Sequence, residues 1–143
     1  MTYKILVPVD LRDEHSWQIA FPCAALETRS REAELVVMTV YEPLGSGIPD
    51  LPLAEDYNRN ARRQTESMLQ SLISEHLPAE LSAHAWVREG ENVYKEILKA
   101  SHELPADLII LAAHHPLLRD YLLGSNASKV VRHADCSVLV VRD

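Results

Sequence analysis

Three short stretches of this chain carry side chains able to do chemistry. Gly124-Ser125-Asn126 stands directly ahead of a helical pattern. A glycine lets backbone approach a ligand closely, and a helix start offers unpaired N–H groups and a dipole that favours an anion. The triplet can therefore cradle a phosphate. It can equally be a plain helix cap, because Ser and Asn are good N-caps anywhere. Asp10 closes the first apolar run, where a carboxylate can accept a hydrogen bond from a ribose hydroxyl, bind a metal or simply cap the next helix. His114-His115 suggests a metal pair, but adjacent loop histidines do not easily converge and no Cys, Asp or Glu stands near them at ligand spacing. No metal site is expected; surface, stacking or phosphate contacts suit these histidines better.

No catalytic constellation emerges. Gly45-Ser46-Gly47 is not followed by Lys-Ser or Lys-Thr, so there is no phosphate-binding loop of the Walker type. No glycine-rich turn follows the first apolar run, and no Gly-x-Ser-x-Gly nucleophile elbow occurs. Cys23 and Cys136 are far apart in apolar contexts and read as buried, reduced thiols.

The elements that must position these groups alternate. Tyr3–Val9, Leu35–Val40, Asp107–Ala112 and Ser137–Val141 are short apolar runs rich in β-branched residues, the signature of buried strands. Leu81, Ala83, Ala85 and Val87 alternate at strand period with Trp86 on the opposite face, and Gly90 breaks the run. Between the strands lie helical patterns. One is capped by Asp13 or Ser16, with Trp17, Ala20, Phe21 and Ala24 in its stripe and Pro22 either in its first turns or as a kink. The clearest covers Ala54–His76, with Tyr57, Ala61, Met68, Leu69, Leu72 and Ile73 near one face. A third is capped by Asn92 and carries Val93, Ile97 and Ala100, and the last begins at Gly124 and ends near His133. Residues 43–52 hold three prolines and two glycines and read as a turn-rich loop, and a second loop spans His114–Leu123.

Helices between buried strands require crossovers and a parallel, doubly wound sheet. Right-handed crossovers predict one α/β sheet of five parallel strands in the order 3-2-1-4-5, with two helices on each face. Ligands in such sheets sit beyond the carboxyl ends of the strands at the switch point. Asp10, Ala112 and Gly124 belong to that rim.

The chain has 143 residues, enough for one domain that buries its own core. With 14 Lys plus Arg against 21 Asp plus Glu, its net charge of −7 disfavours nucleic acid and membrane surfaces as partners. No apolar run reaches the length of a membrane span, and the N-terminal segment does not read as a signal peptide, which points to the cytoplasm.

The same residues resemble the universal stress protein family over nearly the whole chain. Ile5-Leu6-Val7-Pro8-Val9-Asp10 is similar to the family's first strand and its terminal Asp. Val87-Arg88-Glu89-Gly90 with Glu96-Ile97, and Ala106-Asp107-Leu108-Ile109-Ile110, resemble its third and fourth strands and the helix between. The segment Leu122–Ala134, with Gly124-Ser125-Asn126 inside it, and Ser137–Arg142 are the most specific match. Tyr121–Ala127 and the loop Ala112–Pro116 look like the F/G-type subgroup.

The resemblance implies one universal stress protein domain over residues 1–143, with an adenine-nucleotide α-hydrolase-like fold, and a dimeric stress sensor or regulator that binds ATP, with or without Mg2+. Pro8, Val9 and Asp10 then resemble the adenine and ribose contacts. Val40 resembles the residue whose main chain reads the adenine edge. Ala112 and His115 resemble the ribose and phosphate loop, and Gly124, Ser125 and Asn126 the phosphate contacts. The family motif of nucleotide binders is Gly-x2-Gly-x9-Gly-Ser/Thr. This chain keeps Gly124-Ser125, but the upstream glycines fall on Leu111 and His114, or on Ala112 and His115 with a loop one residue shorter. The family also implies a homodimer through the last strand, Val138–Val141, and an unnamed protein partner. A nucleotide-free interaction module is the alternative, and catalysis, if any, is slow ATP hydrolysis or self-modification.

Overall fold

The computed structural model describes residues 2–43, 52–113 and 124–142. The turn-rich loop from residue 44 on, the His114–Leu123 loop and the subgroup-marking residues 121–123 lie outside this description. In chain order the elements are β1 (Lys4–Pro8), α1 (His15–Gln18), α2 (Ala20–Arg31), β2 (Glu34–Tyr41), α3 (Pro52–His76), β3 (His84–Glu89), α4 (Val93–Glu103), β4 (Leu108–Ala112), α5 (Ser125–His133) and β5 (Ser137–Val141). The five strands form one sheet in the order β3-β2-β1-β4-β5. Every pairing is parallel: Ile5 lies between Leu35 and Leu108, and Ile109 faces Val138. The expected α/β architecture is the one found.

Alternation along the strands divides the core in two. Ile5, Val7, Leu35, Val37 and Ile110 pack with Phe21 and Ala24 of α2 and Leu69 of α3. Leu6, Val36, Met38, Ile109 and Leu111 pack on the other face with Ile97 and Ala100 of α4 and Ala127 and Val130 of α5. Two long helices therefore cover each face, because strands buried on both sides need apolar partners on both. Trp86 falls on the face opposite Ala85 and Val87, as its place in the alternation requires.

Three local readings change. The first helical stretch is two helices broken at Ile19, which places Pro22 in the first turn of α2. A first-turn N–H has no intrahelical partner, so a proline there costs nothing that a mid-helix proline would. Neither Asp13 nor Ser16 takes the cap position of α1, which Glu14 holds without a side-chain bond; instead Asp13 Oδ1 accepts from the His15 amide at 3.0 Å, and the hydroxyl of Ser16, inside α1, donates to the Asp13 carbonyl at 2.7 Å. In α3, only Leu69, Leu72 and Ile73 of the predicted stripe join the core, while Tyr57 and Met68 are exposed. Helical periodicity cannot tell that the first half of a long helix runs past the sheet it covers. Cys23 and Cys136 are free but half-buried rather than fully buried, and desolvation pushes both thiols up.

Candidate functional site

The crossovers from β1 to α1 and from β4 to α5 leave the sheet in opposite directions, which opens a crevice between the carboxyl ends of two neighbouring strands. A cavity of about 300 Å3 occupies it. Its floor is the end of β1. There the Val9 amide donates to the Met38 carbonyl at 2.8 Å, and the buried Thr39 hydroxyl donates to the Val9 carbonyl at 2.8 Å. These bonds hold the backbone of Pro8 and Val9 rigidly beside β2, so Val40 at the end of β2 lines the same space.

One wall is the turn after β1. The Asp10 amide donates to the Ser16 hydroxyl at 2.9 Å, and Asp10 Oδ1 accepts from the Arg12 amide at 2.9 Å. This local turn fixes the carboxylate at the cavity mouth, where half of its side chain is exposed. Arg12 reaches back to it, Nε to Oδ1 at 3.4 Å, while remaining 91% exposed. An ion pair this open to water is weak.

The opposite wall is the start of α5. Gly124 occupies the N-cap with φ −56° and ψ 157°, an extended conformation open to any residue. Ser125 and Asn126 are the first two residues inside the helix, so neither is the cap. The cap residue has no side chain to turn back onto the first-turn amides of Ser125, Asn126 and Ala127, and Gly124 contributes only its carbonyl, which accepts from the Ser128 amide at 2.9 Å. Between the walls, Ala112 closes β4 and the Ala113 amide donates to the Val141 carbonyl at 2.8 Å.

The structure thus gathers Pro8, Val9, Asp10, Val40, Ala112, Gly124, Ser125 and Asn126 around one cavity. His115 lies outside the described residues, as does the His114-His115 pair. Arg12, Asp13, His15 and Thr39 also line the cavity and were not singled out from the sequence. Thr39 carried a signal, a hydroxyl inside an otherwise apolar strand. Arg12 carried one too, two residues past a strand end already marked as ligand rim. Among the described residues no group of three or more His, Cys, Asp or Glu side chains is placed to hold a metal, and no helix is long and apolar enough to cross a membrane.

An open five-stranded parallel sheet in this order, with its cavity at the β1/β4 switch point, is a doubly wound α/β fold of the ligand-binding kind. A model of the universal stress protein family matches residues 1–142, and the chain belongs to that family. Curated relatives named universal stress protein G, from Shigella flexneri and Escherichia coli O157:H7, are 36% identical over 88 residues, in keeping with the expected subgroup. That match covers 60% of this chain and 60% of the relatives' own length. The fold is shared with the universal stress protein UspA of Lactobacillus plantarum, at TM-score 0.71 and 24% identity over 98% of this chain and 97% of that one. It is shared also with a family member of Arabidopsis thaliana that has AMP bound, at TM-score 0.59 and 19% identity over 98% and 91%.

Proposed function

We propose that residues 1–143 act as one dimeric, cytoplasmic stress-response domain that binds an adenine nucleotide, ATP, in the switch-point cavity. The observation that carries this reading is the meeting of two groups in one crevice: the Asp10 carboxylate and the start of α5, whose cap residue has no side chain. The first is suited to a ribose hydroxyl and the second to phosphate. The adenine is assigned to Val40, the ribose to Asp10 with Pro8, Val9 and Ala112, and the phosphates to Gly124, Ser125 and Asn126. His115 joins the phosphate end on the family resemblance alone.

The AMP carried by the Arabidopsis relative supports an adenine nucleotide as the ligand class. A cavity of about 300 Å3 suits a small ligand of this kind. Mg2+ usually takes one or two carboxylates together with substrate phosphates, and Asp10 and Asp13 are the carboxylates on this wall. The bound nucleotide supplies a charged, exchangeable signal. The chain's own part is to orient it, and none of its residues is assigned a chemical step. A nucleotide-free interaction module is the competing reading, favoured by the absence of both upstream motif glycines.

Mass spectrometry of the purified protein after denaturation separates the two. Released ATP or AMP, or its uptake on addition, supports the nucleotide reading, and none in either case supports the interaction module. Asp10→Asn removes the charge from one hydrogen bond to the ribose, worth about 1.5–3 kcal/mol, so calorimetry should read a loss of roughly tenfold or more in ATP affinity.

The dimer is assigned to β5, which stands at the sheet edge with Val138–Val141 half-buried and no proline or charge before Arg142. Pairing about a two-fold axis would satisfy that edge. Light scattering should return twice the 16.1 kDa chain mass. Val140→Lys should return a monomer, because a stable interface buries on the order of 1,200–2,000 Å2 and does not tolerate a charge at its centre. A wild type that scatters as a monomer across the micromolar range contradicts the assignment.

A further inference from the structure

We propose that Arg12 is the phosphate-sensing residue of this site, exchanging its contact with Asp10 for the phosphates of the bound nucleotide; this rests on the nucleotide reading above. A polyphosphate entering the cavity meets an unfavourable field. The chain carries a net charge of −7, and the wall after β1 presents both Asp10 and Asp13. Opposite, the start of α5 offers partial charge only. Among the described residues that line the cavity, Arg12 is the one lysine or arginine.

Its present contact is built to be given up. The Arg12 Nε–Asp10 Oδ1 distance is 3.4 Å and the guanidinium is 91% exposed, so leaving Asp10 costs little. The Arg12 backbone stays in place when the side chain moves, because its amide is held separately by Asp10 Oδ1 at 2.9 Å. Asp10 therefore keeps its position while its carboxylate loses a competing cation and becomes available to the ribose. A guanidinium matches phosphate oxygens with two parallel N–H donors, and such pairs are stronger and more directional than a lysine contact.

The test compares adenosine, AMP and ATP on the wild type, Arg12→Ala and Arg12→Lys, with binding followed by amide chemical shifts so that weak affinities are measurable. Arg12→Ala should weaken ATP about tenfold while adenosine changes less than about twofold, and Arg12→Lys should recover part of the ATP loss. Equal weakening of adenosine and ATP would mean that Arg12 only positions Asp10, and wild-type affinity for both would mean that it has no role; either overturns the inference while the nucleotide reading stands. A wild type that binds none of the three overturns both.

Discussion

Gly124→Asp should make the protein slightly more stable and unable to bind nucleotide. The backbone of Gly124 is extended, so it does not need glycine's conformational freedom. What the glycine provides is the missing side chain. An aspartate in the same conformation is a good N-cap: its carboxylate accepts from the first-turn amides and sits favourably on the helix dipole, a gain of about 0.5–1 kcal/mol. That carboxylate then occupies the place assigned to a phosphate and repels it. The expected result is a loss of about a hundredfold or more in ATP affinity, on the order of 3 kcal/mol, with unchanged far-ultraviolet circular dichroism and a melting temperature equal to or above the wild type's. Gly124→Val separates the two causes, since it blocks the approach without adding charge. If calorimetry finds wild-type ATP affinity in both variants, the phosphates are not at α5.

Arg88→Leu should produce the largest loss of stability, at a residue that pairs with Val40 across β2 and β3 without lining the cavity itself. The Arg88 side chain is only 14% exposed and lies between two acids. Nη2 meets Glu96 Oε1 at 3.1 Å, and Nη1 meets Glu103 Oε2 at 2.7 Å. Its guanidinium also covers the Trp86 ring, 5.1 Å from the centroid. Glu96 is itself only 12% exposed and is pressed against Gly90, where a Cβ would stand 2.5 Å from Glu96 Cγ. Removing the arginine leaves this enclosed carboxylate with the exposed Lys99, 3.4 Å away, as its remaining cation among the described residues. Stripping one partner from such a pair costs about 3 kcal/mol, or about 10 °C in melting temperature for a chain of this size.

The double variant Arg88→Leu/Glu96→Met should regain much of that loss, because no charge is left stranded. The pH dependence has a definite sign. The hydrogen bond from Arg88 holds the Glu103 carboxyl below its ordinary value. Its contribution is therefore present above the ordinary carboxylate range and is lost as the pH falls through the lowered value. The gap between wild type and Arg88→Leu should narrow on acidification. A single-variant loss under about 1 kcal/mol would show the cluster to be a surface ion pair of the ordinary weak kind.

The two regions differ in how much of them the sequence could tell. Strand order and the location of the site were legible, because four apolar runs between helical patterns leave few ways to connect parallel strands, and the ligand rule then points to their carboxyl ends. The start of α5 was legible as a phosphate cradle or a cap. Backbone geometry removes Ser125 and Asn126 as caps, by placing Gly124 at that position. The Arg88 cluster was not legible. Glu96 and Glu103 stand seven residues apart on one face of α4, but Arg88 belongs to β3, and only the packing of α4 beside β3 brings it between them. Gly90 was read correctly as the end of a strand, but the close approach of Glu96 that excludes a side chain there is a tertiary fact. The exposed first half of α3 was misread for the same reason: an amphipathic pattern says which face is apolar and not whether anything reaches it.

Whether an adenine nucleotide sits at the β1/β4 switch point is decided by titrating ATP into the isotopically labelled wild-type protein and mapping the amide shifts. The expected result is saturable change concentrated at the amides of Val9, Asp10, Val40, Ala112 and Ala113, and of Ser125, Asn126 and Ala127, residues that line the cavity from four separate stretches of chain. Those of Leu26, Met68 and Glu80 should stay still. No change at millimolar ATP, or change confined to residues away from the cavity, would contradict that placement.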